Sequence, residues 1–234
     1  MKVIILAGGL GTRISEETID KPKPMVLING KPILWHIMNI FAKQGFNEFL
    51  IATGYKGEVI SEWVKTLKTN WVIRAIDTGS ETQTGGRIKQ CMELHPDERV
   101  LATYGDGVGN INLKNLLAFH EAHGKIATLT AVRPPARFGY LDIENEHVLH
   151  FGEKNQSASG WINGGFFALE PQVSDLIESL DEPFETGALP RLVNKRNLMA
   201  FHHEGFWQPM DTLREKQDLT NLAKLTTPPW LIGI

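Results

Sequence analysis

The sequence is almost free of cysteine: Cys91 is the only one in 234 residues. An intramolecular disulfide is therefore excluded, and a reducing cytoplasm is the expected compartment. Long hydrophobic runs are missing too. The first apolar run, Val3 to Ala7, is too short for a signal-peptide core and far too short to span a bilayer. Basic residues are not in excess: 24 Lys and Arg stand against 27 Asp and Glu, a net charge of −3. No global basic field points to nucleic acid or to an anionic membrane. No linker, repeat or low-complexity stretch interrupts the chain. What remains is ordinary for a globular protein, since 42% hydrophobic and 22% charged residues exclude a disordered or collagen-like chain. At ~150 residues per domain, the length fits one large domain or two small ones.

Several familiar catalytic patterns are also lacking. His120-Glu121-Ala122-His123 sets its histidines three apart and fails the zinc-protease spacing. There is no Asp-x-Asp pair of the kind metal-dependent glycosyltransferases use, and no Ser-His-Asp constellation follows from spacing. Cys91 lies on an amphipathic segment and reads as a small buried hydrophobe. His202-His203, near a strand end, reads as structural.

The order of elements carries more. Lys2 to Ala7 reads as a short buried strand bounded by Gly8-Gly9. Pro32 to Gln44 has apolar residues at 33, 34, 37, 38, 40 and 41, a helical period that starts near Pro32 and ends at Gly45. Further strands are expected at Phe49–Thr53, Trp71–Ile76, Val100–Tyr104 and Ile126–Val132, with helices at Glu58–Leu67, Arg87–Leu94 and Leu113–His123. Strands alternating with helices across short connections point to βαβ units and a mainly parallel sheet. The second half changes character. Gly139–Ile143 and His147–Phe151 read as a hairpin, Trp161–Leu169 and Leu198–His203 as strands, and Val173–Ser179 and Thr212–Lys224 as helices. The expected fold class is α/β, a mainly parallel central sheet to which the C-terminal half adds mixed strands.

Directly after the first strand comes Gly8-Gly9-Leu10-Gly11-Thr12-Arg13. A glycine-rich turn at the carboxyl end of a parallel strand lies where open α/β sheets bind ligands. Its backbone amides can cradle phosphate oxygens, and Arg13 adds a forked cation. The dinucleotide fingerprint fails at Ile14, and no Walker loop fits. A plain strand-to-helix turn also accounts for a lone glycine cluster. Then follows Lys21-Pro22-Lys23-Pro24-Met25, where two prolines hold the segment extended and its lysines can meet the same phosphates. Asp106, in Tyr104-Gly105-Asp106-Gly107, follows a buried strand, and Asp211 precedes the last helix. Taken singly, they also read as a turn residue and a helix N-cap.

With these motifs the chain resembles the sugar-1-phosphate nucleotidyltransferases. Matching stretches run from Ile5–Arg13 and Lys21–Met25 through Gly30–Met38, Asp77–Arg87, Tyr104–Val108, Arg137–Ile143 and Asn163–Leu169 to Glu204–Arg214. Among these enzymes it is most similar to the branch that joins CTP to glucose 1-phosphate. The resemblance implies a Rossmann-like, GT-A-like nucleotidyltransferase fold forming one domain over residues 1–234. Residues 1–135 would be mainly a nucleotide-binding half and 136–234 mainly a sugar-phosphate-binding half. Leu6, Ala7, Gly8, Gly9, Gly11, Thr12, Arg13, Lys23, Thr84, Gly85, Gly86, Arg87, Gly105 and Asp106 would bind nucleotide, with Arg13 and Lys23 catalytic. Asp106 and Asp211 would hold Mg²⁺. Gly139, Glu153, Lys154, Asn163 and Gly164 would meet the sugar phosphate, although the glycines after Asn163 could equally mark a β-bulge.

The resemblance also implies a cytoplasmic homo-oligomer. The competing readings are a relative using UTP, dTTP or another sugar phosphate, and a non-catalytic nucleotide-sugar-binding relative. The latter would be expected to lack a metal aspartate or the phosphate lysine, and all are present. One departure stands out: between Trp63 and Asp77 the chain is shorter than the enzymes it resembles, whose longer segment there reaches towards neighbouring subunits. The Pro228-Pro229-Trp230 tail could pack on its own domain or on a partner.

Overall fold

Strand β1 (Lys2–Leu6) explains the first apolar run. Val3 and Ile5 join one hydrophobic cluster, and Ile4 and Leu6 join another on the opposite side. Side chains alternate across a strand, so a continuous apolar run suits a central strand covered on both faces. The computed structural model describes residues 1–134, 140–144, 146–152 and 160–234.

After β1 come a short hairpin, β2 (Leu27–Ile28) and β3 (Lys31–Pro32), then α1 (Ile33–Lys43), β4 (Glu48–Thr53), α2 (Gly57–Thr66) and β5 (Val72–Asp77). Helix α3 (Thr84–Glu93), β6 (Val100–Tyr104), β7 (Gly107–Gly109), α4 (Leu113–His123) and β8 (Ala127–Val132) follow. The second half contributes β9 (Tyr140–Glu144), β10 (His147–Gly152), β11 (Ile162–Leu169), α5 (Ala188–Asn194), β12 (Leu198–His203), β13 (Trp207–Pro209) and α6 (Leu213–Leu222).

Seven strands form the main sheet in the order β12-β8-β11-β6-β1-β4-β5. The pairs β1–β4, β1–β6, β4–β5 and β12–β8 are parallel, while β11 runs antiparallel to both β6 and β8. The mainly parallel sheet with mixed strands from the second half is thus observed, and β9 and β10 form the expected antiparallel hairpin. One core cluster gathers residues of α1, α4 and α6, and the other gathers residues of α3 and α5. Helix α4 ends at Gly124 in the left-handed conformation, as glycine after a helix permits.

Two expectations change, and one helix is added. Val173–Ser179 is not an α-helix; Pro171–Leu176 makes a short 3-10 helix that ends at Ile177 in extended backbone. Helix α5 had no counterpart among the expected elements; its Pro190 lies in the first turn, where the backbone N–H has no intrahelical partner to lose. The Lys21–Met25 segment is extended at Pro22, but Lys23–Met25 close a 3-10 turn. The tail packs on its own domain: Trp230 is 1% exposed and meets His36 edge-on at 5.6 Å and Phe206 at 6.0 Å. Among the described residues no helix is long and apolar enough to cross a membrane.

Cys91 is buried in the α3 face of the core, and burial pushes its thiol up to about 12. His36 and His120 are buried as well, and desolvation holds both below the ordinary imidazole value. The unfolded chain therefore binds more protons than the folded one as pH drops below ~6.5, and stability falls with it. Thermal melts should show Tm decreasing from pH 7 towards pH 5.5. A Tm that rises over that interval would contradict burial of neutral imidazoles. The native protein should also leave a thiol-reactive dye unmodified until it unfolds.

Candidate active site

From β1 the chain moves outward to β4 and β5, then returns to place β6 on the other side of β1. The crevice beyond the carboxyl ends of β1 and β6 is thus a topological switch point, where open α/β sheets bind ligands. A cleft of about 520 Å³ lies there. Leu6, Ala7, Gly8, Gly9, Thr12, Arg13, Lys23, Thr84, Arg87, Gly105 and Asp106 all line it. Gly11, Gly85 and Gly86 do not. Gly11 takes a left-handed φ of +66° and an added Cβ would lie 3.0 Å from Lys23 Cβ, so it shapes the turn. Gly85 and Gly86 let α3 approach the 180–184 segment, where a Cβ on Gly85 would fall 2.6 Å from the Glu182 carbonyl oxygen.

The glycine loop is held from behind. Arg87, 4% exposed, donates to the carbonyl oxygens of Thr53 (2.7 Å), Gly8 (3.1 Å), Gly79 (2.9 Å) and Ser80 (3.4 Å) and to Thr78 Oγ1 (2.5 Å). Its guanidinium is therefore committed to the ends of β1, β4 and β5 as well as reaching the cleft wall. Tyr55 N–H donates to the same Gly8 carbonyl at 3.3 Å. In a trans peptide the C=O and the next N–H point opposite ways, so anchoring the Gly8 carbonyl directs the Gly9 N–H away from Arg87. A Cβ on Gly8 would overlap the Arg87 guanidinium, whereas one on Gly9 would meet nothing within 4 Å. The two neighbouring glycines thus have different structural reasons.

Where Lys23 and Asp106 line the cleft, residues far apart in sequence meet. Strand β13 pairs antiparallel with β7, Pro209 opposite Gly107, and Met210 N–H donates to the Asp106 carbonyl at 2.8 Å. This two-stranded ribbon brings Asp106 and Asp211 together. Lys23, 7% exposed, places its ammonium 2.7 Å from Asp106 Oδ2 and 2.6 Å from Asp211 Oδ1. Arg13 donates to Asp211 Oδ2 at 2.6 Å while its own side chain stays 71% exposed. Asp211 does not cap α6. Thr212 does so, with Glu215 completing a capping box, which leaves the Asp211 carboxylate for Lys23 and Arg13. Hard oxygen donors arranged about one cationic centre suit a magnesium-like ion, which typically takes one or two carboxylates and completes its shell with water and phosphate.

Tyr104, Thr84 and Glu185 also line the cleft; Tyr104 donates to Glu185 Oε1 (2.5 Å), Thr84 Oγ1 donates to Glu185 Oε2 (2.7 Å), and Asn163 Nδ2 donates to the Tyr104 hydroxyl (3.1 Å). Burial, reinforced by the Glu185 charge, raises the Tyr104 phenol well above its ordinary value and keeps it a donor. Glu185 carries no motif signal, and sequence reasoning missed it. Asn163 and Gly164 stand where β11 shifts register against β8, between Asn163 and Phe167, with Gly165 at φ +78°. The Asn-Gly-Gly motif therefore does form a bulge, and the bulge sets Asn163 on Tyr104. Gly139, Glu153 and Lys154 lie outside the described residues, as do Arg137 and Phe138. Lys21 does not line the cleft.

An open, mainly parallel α/β sheet with a glycine-rich loop and opposed charges at its switch point is a Rossmann-like arrangement. The chain belongs to the nucleotidyl transferase family, whose model matches residues 2–215. Glucose-1-phosphate cytidylyltransferase of Salmonella typhi is 47% identical over 253 aligned positions, covering 98% of each chain. Probable glucose-1-phosphate cytidylyltransferase of Bacillus subtilis (strain 168) is 39% identical, covering 99% of this chain and all of its own. The crystal structure of HddC from Yersinia pseudotuberculosis complexed with GMP-PN has a TM-score of 0.76 at 25% identity, covering 95% of this chain and 99% of that one. Nucleotidyl transferases of this family generally use a divalent metal.

The contrast between the two loop glycines is testable. Gly8→Ala should destabilise the protein by about 1–3 kcal/mol, because the new methyl displaces a buried, fully bonded guanidinium. Gly9→Ala should change stability by less than about 0.5 kcal/mol. Urea denaturation of both variants decides, and equal losses would refute the assignment of Gly8 to the Arg87 anchor.

Proposed function

We propose that the protein transfers CMP from CTP to α-D-glucose 1-phosphate, giving CDP-glucose and pyrophosphate. The reaction class is carried by one observation: Lys23, which lines the cleft together with Gly8 and Gly9, meets Asp106 and Asp211. The choice of CTP and glucose 1-phosphate rests on the near full-length likeness to the Salmonella enzyme.

A phosphate oxygen of glucose 1-phosphate attacks the α-phosphorus of CTP, and pyrophosphate leaves. The attacking oxygen is already anionic at neutral pH, so no general base is required. What the chain supplies is alignment and positive charge where negative charge builds up. Backbone amides of the Gly8–Gly11 loop and Arg13 take the triphosphate, with the Arg87 anchor fixing the loop. Lys23 stabilises the α-phosphate and the departing oxygen. Thr84 and the start of α3, together with Leu6, Ala7 and Gly105, shape the nucleotide side. Asn163 and Gly164, with Gly139, Glu153 and Lys154, receive the sugar phosphate.

Asp106 and Asp211 are the groups that would hold Mg²⁺. When bound there, the ion supplies charge neutralisation to the phosphate oxygens. The two halves, 1–135 and 136–234, then serve nucleotide and sugar phosphate within one domain. We place the enzyme in the cytoplasm as a homo-oligomer.

Incubating the protein with each nucleoside triphosphate and several sugar phosphates, with pyrophosphate as readout, tests this directly. CTP with glucose 1-phosphate should exceed every other pair. Faster release with UTP or dTTP would reassign the base, and no release with any pair would favour a binding protein. Lys23→Ala should lower turnover by roughly 100-fold or more, with a smaller effect on CTP affinity. Unchanged turnover would remove Lys23 from the reaction.

A further inference from the structure

Lys23 and Arg13 are the cations assigned to phosphate, and Asp106 and Asp211 are the carboxylates assigned to the divalent ion. In the protein's own structure these four groups are bonded to one another. The Lys23 ammonium bridges both carboxylates at 2.7 and 2.6 Å, and Arg13 takes the remaining oxygen of Asp211 at 2.6 Å. Two positive and two negative groups sum to zero, and Lys23 is 7% exposed. A cation buried this far needs partners, and among the described residues these are the ion pairs it makes.

From this geometry we infer that Lys23 is an internal counter-cation, exchanged for the divalent ion when nucleotide enters, so that metal and triphosphate bind as a coupled pair. The inference rests on the reading of Asp106 and Asp211 given above. A divalent ion entering alone would set two uncompensated positive charges against Lys23 and Arg13. A triphosphate entering alone would bring its charge against Asp106 and Asp211 while competing with them for the same two cations. When both enter together, the carboxylates keep a cation between them, Lys23 and Arg13 turn to the phosphates, and the net charge added is smaller than that of the triphosphate alone. Each ligand thus removes the cost of the other. By linkage the coupling is reciprocal and equals the change in affinity that either one confers on the other.

Removing the internal cation should therefore improve metal binding, a gain that damage to the fold cannot imitate. The measurement is Mn²⁺ binding to the purified protein by electron paramagnetic resonance, with and without a non-hydrolysable CTP analogue bearing a methylene between the α- and β-phosphates. The unaltered protein should bind Mn²⁺ weakly alone and on the order of tenfold or more tightly with the analogue. Lys23→Met should bind Mn²⁺ alone on the order of tenfold more tightly than the unaltered protein, and the analogue should then add less. Arg13→Met, altered at an exposed side chain, should show the same trend with a smaller gain; it keeps the test decisive if Lys23→Met does not fold. If Mn²⁺ binds with the analogue but neither variant gains affinity without it, the exchange is overturned and the metal site stands. If no Mn²⁺ binds even with the analogue, the metal reading of Asp106 and Asp211 falls and the exchange with it.

Discussion

The Lys23 ammonium between Asp106 and Asp211 is the contact on which the rest of the site turns. It joins three places in the chain that local structure alone would not bring together. Lys23, between two prolines, is fixed by a 3-10 turn, Asp106 by the turn from β6 into β7, and Asp211 by the three residues leading from β13 into α6. Burying a charge without partners costs far more than a small ribbon can return. The β7–β13 ribbon and the buried lysine therefore support each other: the ribbon closes the carboxylates on the ammonium, and the ammonium neutralises the repulsion that closing would otherwise create.

Behind this cluster stands a second constraint of the same kind. Arg87 binds the carbonyls that end β1 and β4 and those of the loop after β5. The ends of three neighbouring strands are fixed relative to one another by a single side chain. That anchors the Gly8 end of the glycine loop without a ligand to hold it, and preorganised donors are what transfer of a phosphoryl group requires. It also separates two uses of glycine within one motif: Gly8 makes room for the anchor, and Gly9 faces open space.

How much of this was legible depended on whether the signal was local. The long strands and the helices α1, α2 and α4 repeat a period over six or more residues, and those were readable from the chain. Strands β7 and β13 have three residues each, too few for any period, and their pairing spans about a hundred residues. The meeting of Asp106 with Asp211 therefore followed from resemblance and not from pattern. Asp211 looked like a helix cap because it stands before α6, but Thr212, one place on, has the side chain that reaches Glu215 N–H. Arg87 is assigned to nucleotide by the resemblance alone; that its guanidinium also holds the carbonyls of Thr53 and Gly8 is visible only in the fold. Glu185 had no signal of any kind; only the fold places it against Tyr104 and Thr84.

The chain's shortness relative to its relatives fits the same logic. The Salmonella alignment runs to 253 positions against 234 residues here, so at least 19 of its positions, the difference between the two, have no counterpart in this chain. The resemblance puts the shortening between Trp63 and Asp77, and there α2 passes to β5 through residues 67–71 alone. Strand β5 is the sheet's edge, with β4 between it and β1. Residues lost at that edge leave β1, β6 and the β7–β13 ribbon untouched, because none of the bonds that hold Lys23, Asp106 or Asp211 crosses it. Arg87 is a link in the other direction, tying the loop after β5 to Gly8 through its carbonyl contacts. An edge can thus be trimmed without cost to the charged cluster as long as β5 still ends where Arg87 can reach it.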